Sequence, residues 1–192
     1  GTLAELVSQG VSGQSGFYIG YDISGMIRIS DDWQYTNVPF PFDGIWHYYS
    51  LVKSVSNTDL YIDGYIVASI GYAIGNPTST SFRIGKQFGD HQEYFDGLMD
   101  DVHIWNTALS QPEIQQYMSC PPTGSEEGLV GYWNFEEGSG TTAFDQTSNG
   151  NHGIINGANY DTNVPAQSCD LTNGCIIEVL NLTIISCGCT DD

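Results

Sequence analysis

The chain reads as an all-β protein, an antiparallel β-sandwich with one short helix near residues 110–119, and three observations carry that expectation. Short β-branched and aromatic runs recur along the first 119 residues with turn residues between them. Asp63-Gly64 separates Leu60-Tyr61-Ile62 from Tyr65-Ile66-Val67, as in a type I′ hairpin. Phe95 to Trp105 then runs as a strand directly into Ser110-Gln111-Pro112-Glu113-Ile114, which has the form of a helix start.

In chain order, Phe17–Tyr21 and Met26–Ile29 flank Ser24-Gly25 as a first hairpin. Trp46–Val52 is a strand of aromatic and β-branched residues, and Ser81–Gly85 forms another after the Asp63-Gly64 hairpin. In strand register Leu98, Asp100, Val102 and Ile104 share one face while Met99, Asp101, His103 and Trp105 share the other, placing a carboxylate among apolar neighbours. Ser110 can cap the helix while Glu113 reaches back, proline is tolerated in the first turn, and Ile114 with Tyr117-Met118 supplies an apolar stripe. Cys120-Pro121-Pro122 stops the turn.

Residues 121–127 read as a linker, Gly128–Phe135 resumes strand character, and a long Gly-, Thr-, Asn- and Asp-rich loop leads to a strand at Gly153-Ile154-Ile155. Cys175–Ile185 is the most continuous apolar run, too short to span a membrane and rich in β-branched residues. Such a strand is sticky until it finds a partner. The expected division is a sandwich over residues 1–168 and a Cys-rich C-terminal extension with a β-strand over residues 169–192.

Only Arg28, Lys53, Arg83 and Lys86 oppose 23 carboxylates in 192 residues, for a formal charge of -19 and a pI near 4.1. Nucleic acid and anionic lipid both demand clustered Lys and Arg, so neither is expected as a partner, and no segment is long and apolar enough for membrane insertion. The chain starts at Gly1 without a charged and apolar leader, which suggests a processed or excised piece of a longer secreted protein. Five cysteines in a β chain fit an oxidising compartment, outside the cell or at its surface.

Five cysteines leave one over, and spacing alone admits fifteen arrangements of two bridges. Cys120 to Cys169 is the preferred bridge because each closes the end of an ordered segment. Cys175, Cys187 and Cys189 would then share one bridge and one thiol available to another chain.

Phe42-Asp43-Gly44-Ile45-Trp46-His47, Leu60–Gly64, Phe82–Gly85, the Phe95–Ile114 segment and Gly128–Gly140 together resemble the laminin-G-like jelly roll of the concanavalin A-like lectin and glucanase superfamily, in the type common in secreted bacterial multidomain proteins. The resemblance implies two antiparallel sheets, a curved concave face that often meets glycans, and frequently a structural calcium. Such domains usually begin with a strand that would lie before Gly1, while the segment resembling that opening, Gly128 onward, here follows the helix. Either the sheet is permuted or another segment fills the gap.

Calcium takes six to eight oxygen ligands, which Asp145, Asn149 and Asn151 could supply from a flexible loop, with Asp100 as a second contributor on the pattern of related folds. In the alternative, Asp145 and Asn149 shape turns and Asp100 caps backbone amides. His47, His91, His103 and His152 are too scattered for a zinc site. The alternating carboxylates of related glucanases are absent, as are nucleophile-elbow and nucleotide motifs, so the chain is not expected to be an enzyme.

Glycan stacking would fall to Trp33, Tyr35, Tyr48, Tyr94 or Trp105, any of which could instead be core. Strand donation between subunits would use Ile176, Val179, Leu180, Leu182 and Ile184; alternatively that segment folds back or opens a following domain. The expected function is a non-enzymatic extracellular binding or adhesion module, calcium-stabilised, with a polysaccharide or cell-surface glycan as its partner. The alternative is a structural subunit of a self-assembling extracellular filament joined by that segment.

Overall fold

Alternating apolar residues at Ile19, Tyr21, Ile27 and Ile29 must be taken out of water on one side only, and a twisted antiparallel sheet does this. The computed structural model describes residues 3–11, 16–30, 34–71, 73–75, 80–89 and 92–169, with Gln34 and Tyr35 described by backbone alone. Its elements are β1 (Ala4–Gln9), β2 (Phe17–Tyr21), β3 (Met26–Ile29), β4 (Gln34–Pro39), β5 (Tyr49–Lys53), β6 (Thr58–Ile62), β7 (Tyr65–Ile70), β8 (Phe82–Ile84), β9 (Val102–Trp105), α1 (Gln111–Ser119), β10 (Leu129–Trp133), β11 (Thr142–Ala143) and β12 (Gly153–Ile154).

A five-stranded sheet in the order β4-β3-β2-β1-β8 forms one layer. Its inner face carries Ile27 and Ile29, which meet Leu60 of the β5-β6-β7 sheet in a dry core, with Phe40, Leu51 and Ile62 packed around them. Farther along the same layer, Phe82 of β8 stacks on Trp133 of β10 with ring centroids 5.8 Å apart. The second layer is therefore in two pieces, β5-β6-β7 and β9-β10, and the two are not hydrogen-bonded to each other. Every pair of named strands is antiparallel, as a jelly-roll sandwich requires.

The hairpin turn at Asp63-Gly64 has φ of 52° and 77°, the left-handed pair of a type I′ turn. In α1, the Ser110 backbone N–H and hydroxyl both donate to Glu113, and Ile114 is fully buried. The segment that resembles a domain opening forms β10, which pairs with β9 and sets Tyr132 opposite His103.

Three expectations need correction. The strand expected over Phe95–Trp105 starts only at Val102, because Asp101 turns left-handed at φ 48° and breaks the alternation. Trp46, His47 and Tyr48 lie outside β5: Asp63 accepts the Tyr48 N–H and donates its own to the Tyr48 carbonyl, pinning that stretch to the turn. β1 and β4 were not expected as strands, and β1 disguises itself by turning Glu5 and Ser8 toward a buried face rather than toward water. Cys120 and Cys169 are bonded, tying the end of α1 to the end of the described chain. Cys175, Cys187, Cys189, Ile176, Val179, Leu180, Leu182 and Ile184 lie outside the described residues, as do Trp33 and His91.

Candidate functional site

Splitting the second layer leaves a groove of about 1130 Å³ between the sheets. Its floor includes Ile19 and Tyr21 of β2, its sides are β5 and β9, and α1 adds Ile114, Tyr117 and Met118. One end is spanned by a side-chain chain built on β9. Trp105 Nε1 donates to His103 Nδ1 at 2.7 Å, and His103 Nε2 lies 2.7 Å from the Tyr48 hydroxyl. Tyr117 packs on Trp105 at 4.9 Å, and burial pushes the His103 pKa down to about 4. Of the expected glycan-stacking residues, Tyr48 and Trp105 are thus gathered around one buried imidazole and engaged in packing.

A second polar group sits on the other face of the five-stranded sheet. Glu5 of β1, Gly20 of β2 and Arg28 of β3 stand in one row across the strands. A Cβ on Gly20 would come 2.8 Å from Glu5 Cγ and 2.5 Å from the Ala4 carbonyl, so glycine alone lets Glu5 and Arg28 meet over the middle strand. Arg28 Nη2 donates to Glu5 Oε1 at 3.2 Å and to Glu93, whose segment covers the row. Glu5 and Arg28 are both 0% exposed. Burial lifts the Glu5 pKa to about 8 against the opposing pull of Arg28, with the Glu93 charge adding to the rise. A single guanidinium therefore holds Glu93 as its carboxylate partner and Glu5 largely as the acid at neutral pH.

Nothing in the sequence reading singled out this trio. Its one signal is an arginine between Ile27 and Ile29 in a chain with only four basic residues. Beside it, Tyr94 is 55% exposed and forms isolated bridges to Glu5 and Lys86, with Lys86 Nζ over its ring 5.2 Å from the centroid.

Of the residues proposed for calcium, Asp145, Asn149 and Asn151 gather in one loop against β10, while Asp100 precedes β9. Asp145 Oδ1 accepts the backbone N–H of Tyr132 and Thr147, while Oδ2 accepts the Thr147 hydroxyl and the Asn151 N–H. Those bonds hold its pKa below the usual carboxylate value, although burial pulls the other way. Asn149 and Asn151 direct their side-chain amides to the Val130 carbonyl. Asp145 also binds the edge of β10 turned away from β9, whereas Asp100 precedes β9 itself. Asp100 caps the Asp101 N–H, and burial with the neighbouring Asp101 charge raises it to about 6. As folded, the Asp145 carboxylate is occupied by donors of its own loop and of β10; among the described residues no group of three or more His, Cys, Asp or Glu is arranged for a metal.

Comparison with known proteins adds to this geometry. A solved structure from Bacteroides ovatus, named as a candidate carbohydrate binding protein, superposes with a TM-score of 0.61 at 18% identity, covering 78% of this chain and 46% of that one. The chain thus spans under half the length of that structure, and the likeness is one of fold. An S-layer domain-containing protein of Clostridium thermocellum gives a TM-score of 0.37 at 20% identity over 62% of this chain and 64% of that one. The Laminin_G_3 family model, described as concanavalin A-like lectin/glucanases superfamily, matches residues 2–115, the span that holds the five-stranded sheet, β5-β6-β7 and β9. By that match and by its two-layered antiparallel architecture, the chain belongs to the concanavalin A-like lectin/glucanase superfamily.

Proposed function

We propose that the protein is a non-enzymatic extracellular module that binds a polysaccharide or cell-surface glycan, with Tyr94 as its stacking platform. The observation that carries this reading is the half-exposed Tyr94 with the Lys86 ammonium over one side of its ring, which leaves the opposite side for a ligand. An exposed aromatic face takes the C–H edge of a sugar out of water while a neighbouring cation donates to its hydroxyls. The fold shared with a candidate carbohydrate binding protein supports the same class of ligand.

The Glu5 and Glu93 carboxyls are not placed to carry out hydrolysis. Two carboxyl groups must flank the scissile bond, yet Glu5 is wholly buried and Glu93, 13% exposed, is bound to the same guanidinium. An extracellular or surface location is supported by the Cys120–Cys169 bond, which persists in oxidising compartments.

A glycan array on the intact chain, followed by titration with Tyr94→Ala, tests the reading. Loss of one stacking ring should weaken binding about tenfold. A blank array, or an unchanged titration, would remove Tyr94 from the site.

A second reading is a structural subunit of a self-assembling extracellular filament. It draws support from the split second layer, whose two facing strands leave their edges to the groove.

A further inference from the structure

We propose that the slot between β5 and β9 receives residues 175–185 of a second copy of this chain as an inserted β-strand. The inference rests on the self-assembly reading, and names its acceptor and its donor.

β5 bonds only to β6 and β9 only to β10, so each offers one unpaired edge among the described residues. Every residue of β5 and of β9 lines the groove, side chains of both alternations included, as happens when the strand edge itself borders the space. None of these residues is fully buried, although both strands lie inside a layer of the sandwich. Unpaired edges of this kind template pairing with another strand. The volume, about 1130 Å³, lies above the roughly 300–1,000 Å³ of ordinary small-molecule sites.

The donor matches the slot in pattern, length and charge. Ile176, Leu180, Leu182 and Ile184 fall on one face of an extended Cys175–Ile185, while Ile177, Val179 and Ile185 fall on the other. A strand apolar on both faces is one meant for covering on both sides, here by Ile19 of the five-stranded sheet and by Met118 of α1. Fully extended, the run reaches about 36 Å, longer than the strands it would join. Glu178 is the one charged residue in the run, and Lys53, at the end of β5, is the one lysine or arginine lining the groove.

The exit point of the chain sets the geometry of the assembly. Gln167 and Ser168 line the groove, and Cys169 is bonded to Cys120, so each copy carries the root of its donor at the rim of its own acceptor. One donor and one acceptor per copy form a head-to-tail contact, which propagates unless a ring closes. Cys175, Cys187 and Cys189 remain after the Cys120–Cys169 pairing, an odd set that suits a bond to a neighbouring chain at the donor.

The test uses the intact chain and its Leu180→Asp/Leu182→Asp variant, compared by size-exclusion light scattering and negative-stain imaging. The expected result is elongated assemblies for the native chain and a single 21.0 kDa species for the variant, with the same β-rich circular dichroism spectrum and a lower melting temperature for the variant, which lacks the inserted strand. A native chain that is monomeric throughout overturns the self-assembly reading and the inference together. Assemblies that survive the double substitution leave the reading standing and overturn the donor assignment. Carbodiimide coupling in a 1:1 mixture of ¹⁴N and ¹⁵N chains supplies the second arm: a mixed-isotope Lys53–Glu178 cross-link is expected, and links confined to chains of one isotope would show the segment folding onto its own groove and overturn the exchange between copies.

Discussion

Trp105 Nε1 donates to His103 Nδ1 across 2.7 Å, and this contact determines the protonation state of a buried histidine. An indole nitrogen can only donate, so Nδ1 must be bare and the ring proton must sit on Nε2, where it is donated to the Tyr48 oxygen at 2.7 Å. Doubly protonated imidazolium would turn the Trp105 bond into a clash of two N–H groups. The strand β9, the aromatic face of α1 and the stretch before β5 are joined through this one neutral ring.

The first prediction concerns pH. The His103 pKa falls from its ordinary 6.5 to about 4 on folding because burial penalises the cation, Glu126 opposing weakly. Between those values the unfolded chain binds a proton that the folded one refuses, so the contribution is complete above pH 6.5 and is lost as pH falls toward 4. Its size is about 3 kcal/mol. Imidazole ¹⁵N shifts at pH 5 should report a neutral Nε2–H tautomer; a protonated ring at that pH would contradict the Trp105 bond.

A second prediction separates the two partners of the buried ion cluster. Arg28→Met strands Glu5 and Glu93 without their cation and should cost about 3–5 kcal/mol in urea unfolding. Glu5→Gln should cost under about 1 kcal/mol at neutral pH, because Glu5, with its pKa near 8, is already mostly the uncharged acid there. The sign of its linkage is the reverse of His103: stability from the retained proton is complete below the ordinary value of 4.5 and is lost as pH rises through about 8. Equal costs for the two substitutions would show that Glu5 is ionised.

Reduction of the disulfide supplies a third. Cys120 and Cys169 are 49 residues apart, and closing a loop of that length confines the unfolded chain by about 4 kcal/mol on the chain-entropy account. Cys120→Ser/Cys169→Ser should lower the unfolding free energy by an amount approaching that figure and free the segment after Gln167. An unchanged melting temperature would mean that other contacts already hold the two ends together.

Calcium is addressed by a fourth prediction. Asp145 accepts four hydrogen bonds from its own loop and from β10, so chelation should leave the melting temperature unmoved. Asp145→Ala, which orphans the Tyr132, Thr147 and Asn151 N–H groups, should cost about 2–4 kcal/mol with or without calcium. A melting temperature that drops in chelator and returns on adding calcium would show that a cation replaces those donors.

Much of the fold was legible because local chemistry and tertiary placement agreed. The Phe17–Tyr21 and Met26–Ile29 strands, the Asp63-Gly64 turn and the Ser110–Glu113 start of α1 each depend on contacts within a few residues. β1 was missed because a strand is recognised by polar residues facing water, and Glu5 faces Arg28 instead. The Asp100–Asp101 pair was placed inside a strand because alternation ignores a left-handed residue; Asp101 takes that conformation where its carboxylate reaches Tyr132 and Gln167, far away in sequence. Tyr48 and Trp105 looked like stacking platforms for the same reason: their engagement with His103 is invisible until the strands are side by side.

By itself the sequence determined the all-β class, the single helix and an acidic surface, since these follow from period-two alternation, turn chemistry and a count of charges, and the resemblance of its motifs pointed to the jelly-roll family. Only the tertiary structure decided that Gly20 opens a passage for a buried ion cluster, that β10 completes β9, and that β5 and β9 face each other across an unfilled slot. The reason is physical: burial and pairing between residues tens of positions apart are properties of packed layers, and no short-range pattern in the chain encodes which edge a layer leaves open.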